Sequence, residues 1–320
     1  MIVTVTLNAS LRVQYEADRV EWGTPNQVTR VRYRAGGHGL AVARVLRALG
    51  QDVIAAGFAG GSTGGLIAAD LARSEVETRF TTISGESRRT LEVADTGRDH
   101  TTILNEPPPY ITTEELGRFA ADYRRLLTGA TAVVLSGTLP AGLPPEIYGS
   151  LATYAAEAGV PAIIDAAGPA LWYGASRHPA LLIPGPVGAD TAAGANGSAG
   201  AAGPAGTAGP AGKGREDAAA LVAGGVGAVA VVSDHDLTAV TAVTAARQWH
   251  GTLDGHSGIP GSRDALVAGL IPAVAEDWSW PDTLRHAIAL AVTADEAGEI
   301  DLDAYDLLLP EVIISPGDPP

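Results

Sequence analysis

The tetrapeptide Gly261-Ser262-Arg263-Asp264 runs directly into the apolar series Ala265-Leu266-Val267-Ala268-Gly269-Leu270. Small residues open a helix here, and a carboxylate falls in its first turn. The leading N–H groups of a helix have no intrahelical acceptor and form an anion site. An aspartate beside them can take a proton from a hydroxyl. Together they suit phosphoryl transfer, with the carboxylate as base and the helix end toward the migrating group. Arg263 is a bulky cation where backbone should approach phosphate closely. It either stabilises phosphoryl charge, as an arginine finger does, or stands in the way. The plain alternative for Asp264 is a helix N-terminal charge of modest stabilising value.

A second glycine-rich segment, Ala35-Gly36-Gly37-His38-Gly39, lies between a strand pattern and a helix pattern. Its glycines permit close approach to a ligand, or merely tight helix–strand packing, and alone they do not decide. Other constellations carry less. Asp234-His235-Asp236 reads as a solvated turn, and the seven histidines lack metal-ligand spacing on one helix face. Ser136 has no nucleophile-elbow context. Trp278-Ser279-Trp280, before Pro281, reads as a loop covering the core.

The elements that must position these residues alternate. Apolar, β-branched runs predict strands over 2–6, 52–57, 132–136, 161–165, 180–183 and 228–232. Helix patterns cover 39–49, 64–74, 113–127, 145–158, 216–223, 264–275 and 282–297, with Thr112 and Glu115 as a capping box. Such alternation predicts an α/β fold, a mainly parallel sheet with helices on both faces. Polar-alternating stretches within 12–34 and 87–104 predict a small β-sheet lid over the carboxyl ends of the core strands. Residues 1–320 read as one domain carrying a Gly/Ala-rich insert over 191–215. Glycine recurs every third residue there from Gly194 to Gly212. A flexible surface loop is the expectation, with a collagen-like triple helix as the alternative.

Hydrophobic content of 46% with 18% charged residues is that of a folded chain. The absence of cysteine excludes disulfides and thiolate metal sites. A net charge of −15, from 36 acidic and 21 basic residues, disfavours nucleic acid or an anionic membrane as partner. The start lacks signal-peptide character and no run reaches membrane-spanning length, so a cytoplasmic protein is expected.

Taken together, the motifs resemble the PfkB/ribokinase family of sugar kinases, and most the 1-phosphofructokinase and tagatose-6-phosphate kinase branch. The likeness is carried by Thr4-Val5-Thr6-Leu7-Asn8, Arg34-Ala35-Gly36-Gly37-His38-Gly39, Ala56-Gly57-Phe58-Ala59-Gly60-Gly61 and Asn105-Glu106-Pro107. Leu135-Ser136-Gly137-Thr138-Leu139-Pro140 and Asp165-Ala166-Ala167-Gly168-Pro169 add to it, and Gly261-Ser262-Arg263-Asp264 stands where the family has Gly-Ala-Gly-Asp. The resemblance implies a ribokinase-like fold and ATP- and Mg2+-dependent phosphorylation of a ketohexose phosphate, with Asp264 as base and Gly261, Ser262 and possible Arg263 help at the anion site. It further implies that Gly36, Gly37 and His38 contact the sugar phosphate and that Arg88 holds its phosphate; alone, Arg88 reads as a solvated lid charge. It also implies a possible homodimer through the lid.

The sequence departs from the family at several of these points. Arg12 stands where the family has a sugar-binding aspartate, His38 replaces a lysine, and Ala41 replaces an asparagine. Ile183-Pro184-Gly185 and Gly188 replace the Lys-Pro-Asn and following Glu associated with magnesium and triphosphate. Ser233 opens a nucleotide loop whose glycines are gone. These losses favour impaired activity; the alternative is an inactive pseudokinase binding an anionic metabolite through Arg12, Arg88 and His38.

Overall fold

Side chains of β1 (Ile2–Thr6) alternate between two cores, Ile2 joining one and Val3 and Val5 the other. All five residues are buried, as a central parallel strand covered on both faces requires. In this computed structural model, which describes residues 1–185, 213–232 (backbone only over 213–216), 237–255, 262–295 and 298–317, β1 pairs in parallel with β4 (Val53–Gly60) and β8 (Ala132–Ser136). β5 (Glu77–Ile83), β9 (Ala162–Ala166), β10 (Leu181–Pro184) and β11 (Ala228–Val232) continue the parallel sheet. Antiparallel pairing then adds β12 (Ala239–Thr244), β13 (Gln248–Thr252) and β14 (Ile313–Pro316). The order is β14-β13-β12-β11-β10-β9-β8-β1-β4-β5. The chain first builds to one side of β1 and then, from β8, to the other. Such a reversal opens a crevice at the carboxyl end of the switch strand.

One sheet face carries α1 (His38–Ala48), α2 (Gly61–Arg73), α7 (Arg263–Leu270), α8 (Pro272–Ala275) and α9 (Trp280–Thr293). The other carries α3 (Thr113–Leu127), α4 (Ile147–Glu157), α5 (Gly168–Ala175) and α6 (Lys213–Ala223). The capping box forms at α3: Glu115 N donates to Thr112 Oγ1 at 3.2 Å and Thr112 N to Glu115 Oε2 at 2.8 Å. The helix expected over 264–275 is two helices, because Pro272 has no N–H to continue the ladder. Trp280 and Pro281 open α9 behind the N-cap Ser279 rather than lying in a loop. Helix α6 begins at Lys213, so 213–215 of the expected insert are helical; the rest of the insert, with its periodic glycines, lies outside the described residues.

A second sheet of order β3-β2-β6-β7 is built from β2 (Ser10–Ala17), β3 (Arg30–Gly36), β6 (Arg88–Asp95) and β7 (His100–Asn105). Leu11, Val13 and Ala35 of this lid share a core cluster with Ile67 and Leu71 of α2. The intervening positions carry Arg12 and Arg34, which stand opposite each other in register. Because only Asn8 and its two neighbours separate β1 from β2, the lid is rooted at the carboxyl end of β1.

His286 of α9 is buried between Trp278, with ring centroids 5.4 Å apart, and Tyr305, whose hydroxyl lies 2.7 Å from Nδ1. Burial pushes this imidazole down to about 4. The unfolded chain, titrating near the ordinary histidine value, then binds more protons between the two values. Stability is therefore complete above roughly pH 6.5 and falls as the pH drops toward 4, by roughly 2 kcal/mol at pH 5. Urea unfolding at pH 7.5 and pH 5 should show that loss in the native protein and little of it in a His286→Gln variant. An equal loss in both would exclude His286 as its source.

Candidate active site

Helix α1 can sit on the end of β1 only because two residues lack a side chain. A Cβ on Gly39 would fall 2.5 Å from Thr6 Oγ1 and 3.1 Å from Val5 O, and one on Gly37 2.7 Å from Thr6 Cγ2. Gly37, the N-cap, also has φ of +127°, a value that disfavours L side chains. This close seating delivers His38, the first residue of α1, over the carboxyl edge of the sheet. Its imidazole lies beside Gly137, the turn after β8, where a Cβ would be 3.6 Å from His38 Cδ2.

Asp264 arrives from the opposite direction. Ser262 caps α7, its Oγ accepting from Ala265 N at 3.1 Å, while its own N–H is anchored to Ala291 O of α9 at 2.8 Å. Asp264 follows in the first turn, and His38 Nδ1 lies 2.8 Å from its Oδ1. An ionised carboxylate only accepts, so the shared hydrogen belongs to His38 Nδ1. Both side chains keep access to solvent, at 44% and 23% exposure, so a ligand can reach the pair.

Arg263 turns inward. Its Nη2 donates to Asp165 Oδ1 at 2.9 Å, at the end of β9, and to Pro184 O at 3.1 Å, at the end of β10. Asp165 is almost wholly buried and accepts a further bond from Ser136 Oγ at 2.7 Å. Gly137 N binds Asp165 O, and Tyr148, deeply buried and raised well above the ordinary phenol range by desolvation, donates to the carbonyls of Ser136 and Gly137.

The substrate side is joined through Asn8. Its Nδ2 donates to Thr138 Oγ1 at 3.0 Å and its Oδ1 accepts from Arg88 Nε at 3.1 Å. Arg88, at the root of β6, is thus tied to the turn after β8. Arg12 lies on the lid with Nε 3.3 Å from Glu92 Oε1, its stem against Gly36. The structure therefore joins Asp264 with His38, and Arg263 with Asp165, while Arg12 has a carboxylate within its own sheet. Gly261, Ser233 and the Asp234-His235-Asp236 turn lie outside the described residues.

Asn8, Ser136, Thr138 and Asp165 were not singled out as site residues from sequence. Asp165 carried a signal, being the one acid in the apolar strand Ala-Ile-Ile-Asp-Ala. Glu86 is a further surprise. Its Oε1 accepts from Thr63 N at 2.6 Å and Ser62 Oγ at 3.0 Å, and hydrogen bonding from the Thr63 side chain first, then from the Thr63 backbone and Ser62, holds the carboxyl at about 2. The N-terminus of α2 thus has an internal anion, and the N-termini of α1 and α7 meet at the His38–Asp264 pair.

A magnesium ion held by the protein does not fit these residues. The carboxylate and carbonyl at the ends of β9 and β10 already serve Arg263. Among the described residues no group of three or more His, Asp or Glu is arranged to hold an ion.

The main sheet changes its direction of growth at β1, a second small sheet is rooted at the carboxyl end of that strand, and Asp264 stands in the first turn of α7. Residues 9–248 match the pfkB family of carbohydrate kinases, and the chain belongs to that family. Its fold is that of a Thermotoga maritima protein described as a possible 1-phosphofructokinase, with TM-score 0.81 and 21% identity over 99% of this chain and 100% of the other. It also matches Escherichia coli phosphofructokinase-2. Its tetrameric inhibited form gives TM-score 0.81 and its complex with fructose-6-phosphate 0.79, each at 20–21% identity over 97% of this chain and 98% of the other. The ribokinase-like fold expected from sequence is present.

Replacing Gly39 by Ala should cost about 1–3 kcal/mol, because the new methyl must displace Thr6 or the β1 backbone. Urea denaturation reads this directly, and an unchanged midpoint would show that α1 can move off β1.

Proposed function

We propose that the chain is a carbohydrate kinase that transfers the γ-phosphoryl group of ATP to a hydroxyl of a ketohexose phosphate. The observation that carries this reading is Asp264, in the first turn of α7 at the carboxyl edge of the sheet, its carboxylate oriented by His38. In the reaction the acceptor oxygen forms a bond to the γ-phosphorus while the bond to the bridging oxygen breaks and ADP leaves. The hydroxyl proton passes to the Asp264 carboxylate, and the helix end offers N–H groups to the charge on the transferring group. Arg88, held by Asn8, supplies a guanidinium suited to the phosphate already on the sugar. Fructose-6-phosphate in the Escherichia coli relative supports this substrate class. Exposed Val31, Tyr33, Ile103 and Leu104 support self-association through the lid.

Turnover by this protein is slower than in relatives with glycine at position 263, because the Arg263 side chain occupies space at the ends of β9 and β10. The same observation favours a second reading, in which the protein binds an anionic sugar phosphate in a regulatory role without phosphorylating it.

Titration with Mg-ATP and with fructose 1-phosphate, fructose 6-phosphate and tagatose 6-phosphate, followed by product detection, separates the two. A kinase yields a bisphosphate, and Asp264→Asn lowers kcat by about 10²–10⁴-fold. Sugar-phosphate affinity without ATP affinity or product would sink the kinase and leave the second reading standing.

A further inference from the structure

The contacts of Arg263 have the form of a cation site rather than of an ordinary arginine–carboxylate pair. A guanidinium facing one carboxylate commonly uses two nitrogens in a fork. Here a single nitrogen, Nη2, serves two oxygens from different strands, Asp165 Oδ1 and Pro184 O. The other, Nη1, is buried without a hydrogen-bond acceptor among the described residues. One carboxylate oxygen and one main-chain carbonyl converging on a point is the donor chemistry that hard cations take.

The energetics agree. Asp165 is 4% exposed and has one neutral donor, Ser136 Oγ. A buried carboxylate is costly unless a positive charge accompanies it. Arg263, with 17% of its side chain exposed, supplies that charge from a position where a small residue would supply none. We infer that the Arg263 guanidinium is a tethered cation, standing where Asp165 and Pro184 O would otherwise hold a free divalent metal ion. The protein has internalised the charge at this point, and removing the side chain re-creates a metal site of two protein oxygens completed by water.

The inference concerns cation binding and needs no turnover, so it stands or falls apart from the kinase reading. The test is Mn2+ titration without nucleotide, followed by electron paramagnetic resonance, on the native protein, Arg263→Ala, Arg263→Lys and the double variant Arg263→Ala/Asp165→Asn. Arg263→Ala should bind one Mn2+ more tightly than the native protein by roughly 10–100-fold, the range over which single changes around a metal act. The lysine variant should resemble the native protein, and the double variant should lose the gained site. Mn2+ should also raise the melting temperature of Arg263→Ala and not that of the double variant. Equal Mn2+ affinity in the native protein and Arg263→Ala, or a gained site that survives Asp165→Asn, would overturn the inference. If Arg263→Ala does not fold alone, its refolding yield decides: recovery with Mn2+ supports a cation site, and indifference to Mn2+ refutes it.

Discussion

Burial of β1 on both faces constrains everything that follows it. A strand with no free face can hand the chain onward only at its carboxyl end, and here that end is also where the sheet changes its direction of growth. The lid, the turn after β8 and the N-termini of α1 and α7 therefore crowd into one place. Thr6 and Val5 set how near α1 can come, and the answer is near enough that positions 37 and 39 must be glycine. His38 inherits its position from that constraint. The site depends on backbone packing before it depends on any polar contact.

Charge at this edge is handled in local pairs although the whole chain is strongly acidic, at −15. Glu86 satisfies the start of α2, Arg263 neutralises Asp165, and His38 meets Asp264. The three pairs differ in burial, and burial decides their consequences. Asp165 is sealed in the interior, so its partner is indispensable to it. Asp264 and His38 remain accessible, so a substrate hydroxyl can compete for the carboxylate. The exposed pair is thus open to a ligand, and the buried one is closed to it.

Much of the fold was legible from periodicity. β1, β8, β11 and α3 fall on the spans that apolar patterning and capping predict, and the lid strands lie where polar alternation places them, apart from short extensions of β2 at its start and of β3 and β7 at their ends. β5 was missed because it is a partly exposed edge strand, Glu-Thr-Arg-Phe-Thr-Thr-Ile, with only Phe80 and Ile83 apolar. The hairpin of β12 and β13 and the C-terminal β14 were missed because they join the sheet by antiparallel pairing, outside the strand–helix alternation that marks the parallel strands. The break between α7 and α8 was readable in Pro272 and was overlooked in a run that is otherwise continuous and apolar.

The sequence alone determined which residues could do chemistry: an aspartate in a first helical turn, a histidine after paired glycines, an arginine where small residues belong. Those properties are local, set by capping, glycine conformation and strand period. It did not determine which of them meet. His38 and Asp264 are 226 residues apart, and Arg263 and Asp165 are 98 apart. Only the order of strands around β1 brings them into contact. The tertiary structure gave Arg263 its partner too, because whether a long cation reaches solvent or a buried carboxylate depends on strand ends that no local pattern encodes.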